Sequence, residues 1–125
     1  MGTWDDVARL VEALPLTQRH GPREWRVGGK LVVWQRPLRL PERRALQVGG
    51  EPDVLAVRVR DESTARALIE AHPAVYFTTA HLVAYPVVLV WLARVDRGAL
   101  ADLIYDAWLV HAPRAVVRDY LARRA

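Results

Sequence analysis

The chain contains no cysteine. That excludes a disulfide framework, a thiol nucleophile, a zinc–thiolate centre and an iron–sulfur cluster. Lysine is almost as scarce: Lys30 is the single lysine among 18 basic residues, and arginine supplies the rest. A GC-rich genome produces the same skew without any selection for phosphate binding. Ser63 is the only serine and stands at a predicted helix start, which argues against a serine nucleophile. The longest apolar run, Val87 to Ala93, is far shorter than the ~20 residues a membrane span needs. Met1 to Asp6 is acidic and lacks the apolar segment of a secretory signal, so the protein is expected in the cytoplasm and off the membrane.

Catalytic and metal motifs are missing as well. His20, His72, His81 and His111 do not pair at ligand spacing. Gly28-Gly29 and Gly49-Gly50 read as turn pairs, not as a phosphate cradle. Asp5-Asp6 and Asp61-Glu62 fall at helix starts, where carboxylates favour the positive end of the dipole. No catalytic residue, metal site or cofactor is expected. His81 as a general base, with Tyr85 or an arginine beside it, is the weakest of the alternatives.

The sequence does carry a core. Its 125 residues suit one domain, 1–125, and 52% hydrophobic against 26% charged residues mark it as globular. The net charge of +4 and a pI near 10.1 favour an anionic partner.

Thr3 is a helix cap, and Trp4, Val7, Leu10, Val11 and Leu14 recur at helical spacing until Pro15. A polar stretch, Thr17 to Arg23, follows. Glu24 to Val27 and Lys30 to Arg36 read as two strands joined by a Gly28-Gly29 hairpin turn. Pro37 to Pro52 reads as a long loop, of a length that is often functional. Asp53 to Arg60 alternates as a strand; Asp61 or Ser63 caps a helix ending at Pro73. Val75 to Thr78 and Val87 to Ala93 are predicted strands, flanking a loop that carries His81 and Tyr85. One of Tyr76 and Phe77 is expected in the core and the other exposed. Two helices close the chain, one bearing Leu100, Leu103, Ile104, Trp108 and His111, the other starting near Pro113. The order α-βββ-α-ββ-αα with tight hairpins predicts a two-layer α+β fold, an antiparallel sheet of about five strands with helices on one face.

The other face of such a sheet should be polar. Placing Trp25, Val27, Leu55, Val57, Val59, Val88, Val90 and Leu92 inside leaves Arg26, Arg58, Arg60 and Trp91 outside. If Leu31 and Val33 also point inward, Lys30, Trp34 and Arg36 join them. Arginine interleaved with tryptophan grips phosphates and stacks on bases or planar ligands. A solvated sheet face also carries arginine for no such reason, and a tryptophan there also packs under a loop.

Four stretches resemble the MmcQ/YjbR family of small proteins described as DNA-binding. Gly28-Gly29-Lys30 leads into Trp34, Arg36 and Pro37 like the family's G-G-[KR]-x-x-x-W-x-R-P. Leu55 to Val59 resembles its central strand. Ala71-His72-Pro73, Phe77 to His81 and then Tyr85 are similar to its A-x-P…F-x-T-x-x-H-x-x-x-Y segment, and Ala107 to Pro113 to its helix junction. The ordered set runs from about Trp4 to Leu121. Two positions depart: Ala84 stands where the family often has glycine, and Trp91 where it often has a polar or basic residue. The resemblance implies a compact α+β fold likened to a double-wing DNA-binding arrangement. The family's association with antibiotic gene clusters implies small-molecule binding or resistance for some members.

Two functions are therefore expected. The first is weak, mainly electrostatic DNA binding by a monomer, with Lys30, Arg36, Arg58 and Arg60 on phosphates and Trp34 stacking. The second is binding of a planar small molecule, such as an antibiotic, among Trp34, His81, Tyr85 and Trp91. An acidic protein surface would also suit such a face.

Overall fold

The computed structural model describes residues 1–124. Helix α1 (Trp4–Glu12) starts at Thr3, whose hydroxyl accepts the Asp6 N–H at 3.1 Å while the Asp6 carboxylate accepts the Thr3 N–H at 3.1 Å. This reciprocal box satisfies two donors at the helix start. Thr3→Ala should cost about 1 kcal/mol, read as a lower denaturation midpoint at unchanged m. Strands β1 (Thr17–Arg19), β2 (Glu24–Val27) and β3 (Lys30–Gln35) follow, then α2 (Leu40–Leu46), β4 (Val54–Arg58), α3 (Glu62–Ala71), β5 (Tyr76–Phe77), β6 (Val87–Trp91), α4 (Arg97–His111) and α5 (Arg114–Arg124). All neighbouring strands run antiparallel, in the order β1-β2-β3-β4-β6-β5.

The expected α+β layering is present, with six strands rather than five. The added strand, β1, pairs with β2 through Thr17–Val27, Gln18–Arg26 and Arg19–Trp25. Gly28 and Gly29 hold φ of +56° and +85°, the left-handed backbone that a two-residue hairpin turn requires. Helices α1, α3, α4 and α5 cover one face of the sheet. Val7 and Val11 of α1 meet Trp25, Val33, Leu55, Val57, Val88 and Val90 from the strands and Leu100, Leu103, Ile104 and Trp108 from α4 in the main core. Trp108 donates its indole N–H to the Pro15 carbonyl at 2.8 Å, tying α4 to the end of α1.

Several expectations are corrected. The opposite face is not open along its length: Val54, Ala56, Phe77, Val87, Leu89 and Trp91 form a second core with Leu38, and Leu46, Val48 and Leu82 pack on it. Its cover includes α2, which lies inside the stretch expected to be a loop. Pro41 sits in the first turn of α2, where a proline's missing N–H is harmless, and the Glu42 carboxylate accepts the Arg39 N–H at 2.9 Å. Consequently Tyr76 and Phe77 are both buried, one in each core. Trp91, expected outside, is 9% exposed and stacks on Phe77 with ring centroids 4.1 Å apart.

A further correction concerns β3. Trp25 faces Val33, but Arg26 faces Leu31, so Val32 is a bulge and both Val32 and Val33 are buried in the main core. The extra residue reverses the alternation for the start of the strand. Leu31 joins Arg26 on the outer face, and Lys30, opposite Val27, moves to the helix side. Lys30 and Trp34 therefore lie on opposite faces, whereas the register with Leu31 and Val33 both inward would put them on one.

Candidate functional site

The sheet has two chemically different ends. At one end Arg36 donates its main-chain N–H to the Val54 carbonyl at 3.0 Å. Its guanidinium donates to both oxygens of Glu42, at 3.0 and 2.8 Å. The two side chains are only 16% and 10% exposed. Burial alone would raise the Glu42 pKa. The Arg36 guanidinium, helped by the Arg39 N–H and side chain, instead holds it down at about 2. Arg36 thus clamps α2 onto the sheet, and its charge is spent within the protein.

At the other end the β3–β4 ladder, with Val33 opposite Val57, sets the start of β3 beside the end of β4. Lys30 and Arg58 arrive there within reach of His111, and Arg60 follows two residues on, at the edge of the α3–α4 groove and beside Asp61. None of the three forms an ion pair among the described residues; the pairs found involve Arg9, Arg19, Arg26, Arg36, Arg39 and Arg97. Arg58 Nε is buried and has no hydrogen-bond partner among the described residues. A buried charged donor without an acceptor is costly, so the Arg58 side chain carries hydrogen-bonding capacity and charge that the protein does not use.

His111, the last residue of α4, faces this group. Its Nδ1 lies 2.8 Å from the Ala107 carbonyl, which selects the tautomer with Nδ1 protonated and Nε2 as an acceptor. Burial lowers its pKa, the Ala107 carbonyl opposes that, and the Arg58 and Lys30 charges lower it further. The imidazole is neutral at pH 7. Sequence reasoning placed His111 in the core stripe of α4. The sign that it ends the helix, next to Ala112-Pro113, was available, but its approach to Lys30 depends on the bulge.

The remaining expected site residues scatter. Trp34, opposite Glu24 and Ala56, is half-buried on the outer face and packs against the second core. His81 and Tyr85 are exposed in the segment before β6, with ring centroids 6.4 Å apart. That segment ends beside β4, where Pro86 accepts the Val59 N–H at 2.8 Å. His81 lines a cleft of about 410 Å³ between α2 and residues 78–81, whose wall includes Thr79. The Thr79 hydroxyl is buried and unpartnered among the described residues. Trp91 contributes to neither place. Among the described residues no three His, Asp or Glu side chains converge as metal ligands, and no helix is long and apolar enough to cross a membrane.

These features define a small antiparallel α+β protein with a clamped acidic–basic pair at one sheet end and unpaired cations at the other. It is 52% identical over 126 residues, 98% of each chain, to "Uncharacterized protein Mb2600" of Mycobacterium bovis. The same figures hold for "Uncharacterized protein Rv2570" and "Uncharacterized protein MT2646" of Mycobacterium tuberculosis. The chain belongs to the family of these mycobacterial proteins. No family model matches it, and no solved structure matches it.

Proposed function

We propose that this protein binds the phosphate backbone of nucleic acid, weakly and mainly through charge, at the sheet end formed by Lys30, Arg58 and Arg60. The observation that carries this reading is the placing of Lys30 and Arg58 together beside His111, with Arg60 two residues on, none of the three in an ion pair among the described residues. A phosphate supplies the missing negative charge. The motif order shared with the MmcQ/YjbR family supports the same reading and extends it to the mycobacterial relatives as a branch of that group. In this reading the protein is a cytoplasmic monomer, and no catalytic step is assigned to it.

Three neutralised phosphates predict a slope of log K against log salt near about −2.7 on duplex DNA, or roughly a 40-fold loss of affinity between 50 and 200 mM salt. Fluorescence anisotropy of a labelled duplex measures it. Binding should raise the His111 pKa, because the phosphate cancels the Lys30 and Arg58 charges that depress it. A proton NMR titration of the imidazole with and without DNA reads that shift. No binding at 50 mM salt, or a His111 pKa unmoved by bound DNA, would overturn the assignment.

A second reading rests on the unpartnered Thr79 hydroxyl in the His81 cleft. A planar ligand held there by Thr79 and His81 would raise the melting temperature independently of salt.

A further inference from the structure

On the helix side a groove of about 520 Å³ runs between α3 and α4. Its α4 wall extends from Ala99 to Val110, about 16 Å at 1.5 Å per residue. The middle of the groove is apolar, lined by Leu68, Leu103 and Ala107. Tyr76 and Asp102 stand toward the end where α4 begins, and Asp106 lies one turn further along the same wall.

Tyr76 marks the groove as more than a packing defect. The residue is 4% exposed and lines the groove, and its hydroxyl, which forms no hydrogen bond among the described residues, is not sealed off but opens onto that groove. Burial first, and then the charges of Asp96 and Asp102, raise its pKa above the ordinary value, so it stays a neutral hydroxyl with a free lone pair. Asp102 and Asp106 are exposed, and neither forms an ion pair among the described residues. The polar groups at this end are thus acceptors looking for a cation, beside an apolar floor long enough for a short alkyl or aryl body.

We propose that the α3–α4 groove binds a small amphipathic amine, with its apolar body on Leu68, Leu103 and Ala107 and its ammonium between the Tyr76 hydroxyl and the Asp102 carboxylate. The preference for a cation sets this site apart from the anion-binding sheet end. Arg60, at the far mouth of the groove, is the one residue the two share.

Hexylamine, hexanol and hexanoate carry one body and three head groups. Each is titrated into the isotopically labelled full chain, following the amide shifts of Leu68, Leu103 and Ala107. The amine should bind about fivefold or more tightly than the alcohol, and the carboxylate should bind weakest. Asp102→Asn should bring amine and alcohol to about equal affinity, and Tyr76→Phe should weaken the amine several-fold. Melting temperatures within a few degrees of wild type, together with unchanged DNA anisotropy, separate a lost site from a lost fold. Absence of groove shifts at millimolar amine, a preference for hexanoate, or an amine preference that survives Asp102→Asn in the folded variant would overturn the proposal.

Discussion

Glu42→Ala should destabilise the protein by about 3 kcal/mol at neutral pH, the cost of leaving a buried arginine without its carboxylate. The Arg36–Glu42 pair is doubly hydrogen-bonded and shielded on both sides, unlike the exposed pairs Arg19–Glu12 and Arg26–Glu24, which contribute little. The pH dependence identifies the group. Glu42 has its pKa depressed from 4.5 to about 2. Its contribution is therefore fully present above about pH 4.5 and is lost as pH falls through about 2. Urea denaturation of wild type and variant should show a gap of about 3 kcal/mol at neutral pH that closes toward about pH 2. A gap that stays constant across that range would show that Glu42 does not act through its charge.

Trp108→Ala should cost about 4 kcal/mol, a large part of the roughly 5–15 kcal/mol that holds a domain of this kind together. Trp108 is 1% exposed, contacts the Tyr120 ring edge-on at 5.0 Å and donates to the Pro15 carbonyl. It thereby joins α1, α4 and α5 in one contact. Trp108→Phe keeps most of the ring and loses the N–H, so its cost should fall to about 1–2 kcal/mol. Equal losses in the two variants would mean that the hydrogen bond, and not the buried ring, dominates.

The helix-side core was legible because its residues recur at clean periods. Val7 and Val11 in α1, Leu55 and Val57 in β4, and Leu100, Leu103 and Ile104 in α4 follow the 3.6 and 2.0 residue repeats. The second core was not. It depends on α2, a seven-residue helix that carries a proline and three charged residues and gives little periodic signal of its own. Without that cover, Trp91 reads as outside and Tyr76 and Phe77 as one inside and one exposed, when each strand face has a core of its own. Strand β1 was hidden because Thr17-Gln18-Arg19 is polar, and an edge strand held by backbone pairing needs no apolar alternation. The bulge at Val32 is invisible in a run of Leu31, Val32 and Val33, where any register looks equally apolar.

The candidate site was legible as a set of residue types and misjudged as a surface. Arg36, Arg58 and Arg60 are chemically equal in the sequence. Only the position of Glu42 assigns the first to structure and leaves the other two unpaired. Lys30 reaches the site by way of the bulge, and His111 enters because of where Lys30 lands. Such distinctions depend on tertiary contacts that no local pattern encodes.

The division of labour among the arginines can be tested by comparing Arg58→Ala with Arg36→Ala in the same two assays. Arg58→Ala should bind duplex DNA more weakly, with its salt slope flatter by about 0.9 and its melting temperature nearly unchanged. Arg36→Ala should lower the melting temperature by several degrees, as the loss of a buried pair in a domain of this size requires, and leave the slope of the folded fraction as in wild type. If Arg36→Ala flattens the slope while Arg58→Ala leaves it intact, the binding charge lies at the clamped end, and the assignment to Lys30, Arg58 and Arg60 is wrong.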